Sequence, residues 1–238
     1  MGWLVALTRT ARGLTLALVV ALAGACATAA PAPPRPAPIP SLADAKRQVG
    51  EYVSSGRYET DIAAVVAEAR EYLNRGIGGA RLAIVLDIDE TALSNVPALR
   101  ANDYGFIVAG PCDLTRGPCG FAAWIEQARA EPIKPVLELA RLARERGVAV
   151  FFITGRPERF RAATERNLKA AGYEWTGLIL KPDDLATHSA VEFKAAARKK
   201  LTEQGYLIVV NVGDQMSDLD GGYAQRTYKL PNPFYFVP

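Results

Sequence analysis

Two short acidic blocks, D-I-D-E-T at Asp87–Thr91 and G-D-Q-M-S-D at Gly213–Asp218, carry the densest chemistry in this chain. The first follows the continuous apolar run Leu82–Leu86, which reads as a strand buried on both faces. Side chains repeat every second position along a strand, so Asp87 and Asp89 face the same rim. The second block follows a similar run, Leu207–Val212, and opens with Gly213. Parallel strands that deliver acids at their carboxyl ends place a site at the top of an open α/β sheet. Carboxylates packed there repel one another and take up protons unless a cation lies among them. Mg²⁺ suits the position, because it takes hard oxygen ligands and keeps waters that a phosphate can displace.

The elements that must hold these acids follow from periodicity. Ser41-Leu42-Ala43-Asp44 starts a helical pattern, and Asp61–Leu73 continues one with Ile62, Val65, Val66, Ala69 and Leu73 on one face. After the first strand, 92–132 has no clear period and is rich in Gly, Pro and aromatics. It reads as a functional flap, being too long for a connector. Beyond it the pattern alternates: helix Val136–Arg146 ending at Gly147, strand Val148–Ile153, helix Glu158–Ala171 ending at Gly172 and strand Gly177–Leu180. Helix Val191–Glu203, strand Tyr206–Val212 and a short strand Arg226–Leu230 complete it. Such alternation implies a mostly parallel sheet with right-handed crossovers and helices on both faces, a three-layer α/β/α architecture.

Polar signals therefore stand at successive strand ends: Asp87/Asp89/Thr91, Thr154-Gly155-Arg156 and Asp214/Asp218, with Lys194 near the start of a helix. In this order, from Leu82 onward, the chain resembles the haloacid dehalogenase (HAD) superfamily of phosphohydrolases. D-x-D-x-T, G-D-Q-x-S-D and the ending Tyr228-Lys229-Leu230-Pro231-Asn232-Pro233 look like its acid phosphatase branch, subfamily IIIB. That branch includes class B and class C enzymes and lipoprotein 5′-nucleotidases. The resemblance implies a HAD-like Rossmannoid fold with N-terminal helices and an insertion after the first strand.

It also implies roles. Asp87 would attack phosphorus and form an aspartyl-phosphate. Asp89 would protonate the leaving alcohol and then deprotonate the attacking water. Dehalogenase relatives expel halide and lack that second acid, so Asp89 argues against dehalogenation. Mg²⁺ would be held by Asp87, the backbone carbonyl of Asp89, Asp214 and Asp218. Thr154, Gly155 and Lys194 would bind the phosphate. Lys181 competes with Lys194, but Phe193-Lys194-x-x-x-Arg198 resembles the third motif of the family. Arg156 and Arg198 read as salt-bridge or cap residues. His188, the one histidine, sits in a polar loop without the R-H-G signature of phosphohistidine chemistry. Of the flap residues Asn95, Tyr104, Phe106, Phe121 and Trp124, the aromatics either stack on a leaving group or seal the flap, and both readings stay open.

The N-terminus reads as an export signal over 1–25, with Arg9 and Arg12 before the apolar run Leu14–Ala25. Three cysteines are present; Cys112 and Cys119 form a local disulfide pair in an exported protein, which leaves Cys26 over. Ala23-Gly24-Ala25-Cys26 resembles a lipoprotein processing box, while Ala23-x-Ala25 and Ala25-x-Ala27 equally suit an ordinary secretory peptidase. A Pro-rich linker over 26–40 would hold the domain (41–238) roughly 30 Å from an anchor. The net charge of +3 falls to +1 without the two signal arginines (3 − 2 = 1), and no basic stripe for nucleic acid remains. The sequence thus predicts an exported Mg²⁺-dependent acid phosphatase of small phosphomonoesters, periplasmic or lipid-anchored at Cys26, with 5′-nucleotidase activity as a narrower version. The alternative is a non-catalytic HAD-fold surface lipoprotein that binds phosphate or metal.

Overall fold

The apolar run Leu82–Leu86 forms β1, at the middle of a five-stranded parallel sheet of order β5-β4-β1-β6-β7. The computed structural model describes residues 39–237 except 77, 80, 115 and 186–188. The signal, Cys26, nearly all of the Pro-rich linker and His188 lie outside the described residues. In chain order the elements are α1 Leu42–Ser54, α2 Arg57–Asn74, β1, β2 Leu93–Ser94, α3 Val96–Ala101, α4 Phe121–Gln127 and β3 Glu131–Pro132. There follow α5 Lys134–Glu145, β4 Ala149–Pro157, α6 Arg161–Ala170, β5 Gly177–Lys181, α7 Ala190–Glu203, β6 Leu207–Gly213, α8 Met216–Leu219 and β7 Arg226–Lys229. Among the described residues no helix is long and apolar enough to cross a membrane.

Alternation along β1 divides the core. Ile84 and Leu86 pack with Val66 and Ala69 of α2 and with Val136, Leu139 and Ala143 of α5. Ala83 and Val85 face the other way, against Ala197 and Leu201 of α7. Each fully buried leucine or isoleucine of this kind contributes about 1.5–3 kcal/mol. The helices end as their sequences predict. Gly147 (φ 71°) and Gly172 (φ 84°) take the left-handed conformation. The next amides, of Val148 and Tyr173, bond back to Ala143 and Leu168 at 2.9 and 3.0 Å. At the first helix, Ser41 Oγ accepts the Asp44 N–H at 3.1 Å, an N-cap.

The insertion is more ordered than its lack of period suggests. β2 and β3 pair antiparallel (Leu93↔Pro132, Ser94↔Glu131) and close its base. Between them α3 and α4 bury Ala98, Leu99, Trp124 and Ile125. Helices this short complete fewer than two turns, so no periodicity develops in the sequence. Cys112 and Cys119 are joined by a disulfide within this segment. The Asn102 amide clamps the bridge: Nδ2 donates to the Cys119 carbonyl at 2.8 Å, and Oδ1 accepts its N–H at 2.6 Å.

Candidate active site

β1 and β6 are hydrogen-bonded neighbours, and β4 pairs with the other side of β1, so their carboxyl ends converge. The Asp87 N–H extends the β1–β6 ladder by one bond, to the Val212 carbonyl at 3.0 Å. Asp87 and Asp89 follow the last residue of β1, in the turn that leaves the strand, and both line one cavity of ≈270 Å³. Lys194, Asp214 and Asp218 line the same cavity, as do Gly155 and Arg156. A register shift between Thr154 and Pro157 bends the end of β4 and exposes Gly155. Thr154 itself is fully buried beneath this lining, its Oγ1 accepting the Arg156 N–H at 3.1 Å.

The acids are held by two separate cations. Lys194 Nζ donates to Asp87 Oδ1 at 2.6 Å and also to Asp218 Oδ1. Burial would lower the lysine pKa, but Asp87 and Asp218 raise it above its ordinary value, so it stays charged. Arg156 clasps the other acid: Nε reaches Asp89 Oδ2 at 3.0 Å, and Nη2 reaches Oδ1 at 2.6 Å. Burial works to raise the Asp89 pKa, yet the Arg156 charge, its hydrogen bonds and the Asn95 amide hold it below the usual carboxylate value.

Asp87, Asp214 and Asp218 can each place an oxygen within 4.8 Å of the others. One ammonium does not neutralise three carboxylates. Burial and then the Asp218 charge push the Asp87 carboxyl well up, against the pull of Lys194. Burial and Asp218 likewise push Asp214 up to about 6. Buried hard oxygens with surplus negative charge fit a divalent cation of the Mg²⁺ class. Asp214 is oriented by three donors: Thr91 Oγ1 at 3.2 Å on Oδ1, with Gln215 Nε2 and Asn232 Nδ2, both at 2.7 Å, on Oδ2. Thr91 and Asp214 thus tie the first and last motifs together.

Glu90 and Tyr235 were not singled out from sequence. Glu90, fully buried with φ 53°, accepts the Asn95 N–H at 2.8 Å and the Tyr235 hydroxyl. Burial pushes its pKa up to about 8. Its signal was a charged residue enclosed within a buried motif. Asn95 links Glu90 to the neighbouring acid, donating to Asp89 Oδ1 at 2.9 Å, and accepts from Trp124 Nε1 at 2.8 Å. Arg198 caps carbonyls, reaching Asp218 O at 2.5 Å, Gly222 O at 2.9 Å and Asp220 O. Lys181 ends β5 and is not among the residues that line the cavity, whereas Lys194 lines it.

The aromatics of the insertion divide by position. Trp124 is buried, and Tyr104 stacks on Phe234, so both seal the insertion. Phe106 and Phe121 line the cavity with Val108, Ile125, Phe160, Tyr235 and Val237, forming an apolar wall above the polar floor.

The family model for HAD superfamily subfamily IIIB (acid phosphatase) matches residues 39–238. Acid phosphatase 1 of Solanum lycopersicum is 37% identical over 194 residues, covering 79% of this chain and 73% of the relative. The stem 28 kDa glycoprotein of Glycine max is 37% identical over 191 residues, covering 79% and 72%. Among solved structures, the class C acid phosphatase from Bacillus anthracis superposes with a TM-score of 0.63. Sequence identity there is 20%, with 81% of this chain and 86% of that one covered, a likeness of fold.

Proposed function

We propose that this chain, which belongs to subfamily IIIB of the HAD superfamily, the acid phosphatases, is an exported Mg²⁺-dependent phosphomonoesterase working through an aspartyl-phosphate. The observation that carries this is the convergence of Asp87 and Asp89 on one cavity with Lys194, Asp214 and Asp218. An Asp87 carboxylate oxygen bonds to phosphorus as the ester P–O bond breaks, and Asp89 gives its proton to the departing alkoxide. Asp89 then takes a proton from water as that oxygen attacks phosphorus, and the acyl phosphate cleaves to free Asp87 and inorganic phosphate. Arg156 holds the Asp89 pKa below the usual carboxylate value, which works against the protonated form that the first step needs, and an acidic medium favours that form.

Asp87, Asp214, Asp218 and the backbone carbonyl of Asp89 would hold Mg²⁺. When bound, it polarises a phosphoryl oxygen and shields the nucleophile from the phosphate's charge. Lys194 Nζ and the Gly155 N–H would hold phosphate oxygens. The Thr154 hydroxyl uses a lone pair on Arg156 and keeps its own proton for donation.

The apolar wall favours a leaving group with an aryl or other apolar part. The narrower 5′-nucleotidase version needs a slot between rings. Phe106 lies 5.0 Å from Phe121 and 4.7 Å from Tyr235, centroid to centroid, so its ring is in contact with both. A base would have to lie on their face or part them. The inert binding-protein alternative needs no general acid and would leave Asp89 only its structural pairing with Arg156. Export follows from the signal-like 1–25, and a lipid at Cys26 from its place as the leftover cysteine.

The test is p-nitrophenyl phosphate hydrolysis by the purified protein with Mg²⁺ and with EDTA, alongside Asp87→Asn. Loss of activity in both EDTA and the variant supports the mechanism. A folded wild-type protein inactive across about pH 4 to 9 would sink it.

A further inference from the structure

After β7 the chain passes back over the acid cluster, and the two side-chain amides that orient Asp214 also hold this returning segment. Asn232 Nδ2 donates to Asp214 Oδ2, while its Oδ1 accepts the N–H groups of Phe234 (2.8 Å) and Tyr235 (3.3 Å). Gln215 Nε2 donates to the same Asp214 oxygen and reaches the Tyr235 carbonyl at 3.4 Å, while its Oε1 accepts the Val237 N–H at 3.2 Å. Each amide therefore has its donor end on the carboxylate and its acceptor end on the segment's backbone. A carboxylate only accepts and a backbone N–H only donates, so neither amide can flip without losing both sets of bonds. Aromatic contacts seat the rest: Phe234 against Tyr58 at 5.4 Å and Tyr235 against Phe106 at 4.7 Å. The Tyr235 hydroxyl donates to Glu90, next to Asp89.

We infer that segment Asn232–Val237 is a positioning strap for Asp214, so that seating of the strap and binding of a divalent cation at the acid trio reinforce each other. This rests on the reading of Asp87, Asp214 and Asp218 as the metal site. With Asn232 and Gln215 in place, the Asp214 carboxylate is fixed before a cation arrives. Without them it must be ordered at the moment of binding. Hydrogen-bond partners behind a metal ligand are typically worth about 10–100-fold in metal affinity. Coupling between two equilibria is reciprocal, so whatever the strap contributes to cation binding the cation returns to the strap. Tyr235 and Val237 also line the cavity, so the same coupling links metal loading to the shape of the leaving-group wall.

The test is calorimetric titration of Mg²⁺ into the purified wild-type protein and Asn232→Ala. It is paired with hydrogen exchange at the Phe234, Tyr235 and Val237 amides in Mg²⁺ and in EDTA. The expected results are Mg²⁺ affinity lowered about 10–100-fold in the variant, and slower exchange of the three amides with Mg²⁺ in the wild type, a slowing that Asn232→Ala loses. A purely structural role would leave exchange indifferent to Mg²⁺, and that result, or variant affinity within about twofold of wild type, overturns the inference. Should Asn232→Ala fail to fold, the wild-type exchange decides alone. A folded wild type that binds no Mg²⁺ would instead overturn the metal-site reading beneath it.

Discussion

Lys194 Nζ lies 2.6 Å from Asp87 Oδ1, and the same ammonium is bonded to Asp218. The lysine on α7 thus stands between Asp87 and a second acid of the cluster, and all three groups are buried. Lys194→Met removes the ammonium from Asp87 and, on the proposed mechanism, from the bound phosphate. Its kcat is expected to fall by roughly 10²–10³-fold, the scale of losing one preorganised charge donor. Lys194→Arg is not expected to restore it, because a planar guanidinium cannot occupy the space of a compact ammonium between two carboxylates. Steady-state kinetics on the three proteins, with folding checked by circular dichroism, measures this.

Arg156 and Asp89 form the second buried pair. Arg156→Met leaves Asp89 without its cationic partner and is expected to cost about 3–5 kcal/mol of stability at neutral pH. The Asp89 pKa is lowered in the folded protein, so its stabilisation is present above the unfolded value of 3.8. It is lost as pH falls through the lower folded value. Wild type and variant should therefore converge in acid. Urea denaturation in EDTA from pH 7 downward reads both the gap and its closure.

Asp214 is pushed up to about 6 by burial and by Asp218, and Asp87 is shifted in the same direction. A cation binds the ionised carboxylates, so protons must leave before it is held. Mg²⁺ affinity is expected to weaken below about pH 6, by about tenfold per pH unit for each proton displaced. Titration calorimetry in buffers of different ionisation enthalpy would show proton release accompanying binding. Affinity independent of pH from about 5 to 7 would contradict the electrostatic account of the trio.

The motifs were legible because their chemistry depends on residue type at strand ends. Leu82–Leu86 and Leu207–Val212 announced buried strands, and Asp87, Asp89, Asp214 and Lys194 stand where those runs and α7 require. The pairing of the charges was not legible. Arg156 lies 67 residues from Asp89, and Tyr235 lies 145 from Glu90. Such partners are chosen by tertiary approach, which no local pattern encodes. Thr154 shows a different limit: its position in β4 was readable, but the bend that buries its side chain beneath Gly155 and Arg156 was not. The insertion hid α3 and α4 because its organisation comes from Trp124, Asn95 and the disulfide rather than from a repeat.

The Cys112–Cys119 bridge closes a small loop in that insertion, with a sequence separation of 7. By the chain-entropy relation, opening it should destabilise the protein by at most about 2.5 kcal/mol. Chemical denaturation of Cys112→Ser/Cys119→Ser against wild type gives the figure. A larger loss would mean that the bridge also supports the Asn102 clamp and the packing beneath it.

The most direct test of the central claim is to trap the covalent intermediate. The wild-type protein, turning over p-nitrophenyl phosphate with Mg²⁺, is quenched in acid within the first turnovers, digested and mapped by mass spectrometry. The account expects one phosphoryl group on the peptide bearing Asp87, labile to hydroxylamine and absent from Asp87→Asn. Steady turnover with no phosphorylated peptide at any quench time, or with the phosphate on another residue, would contradict it.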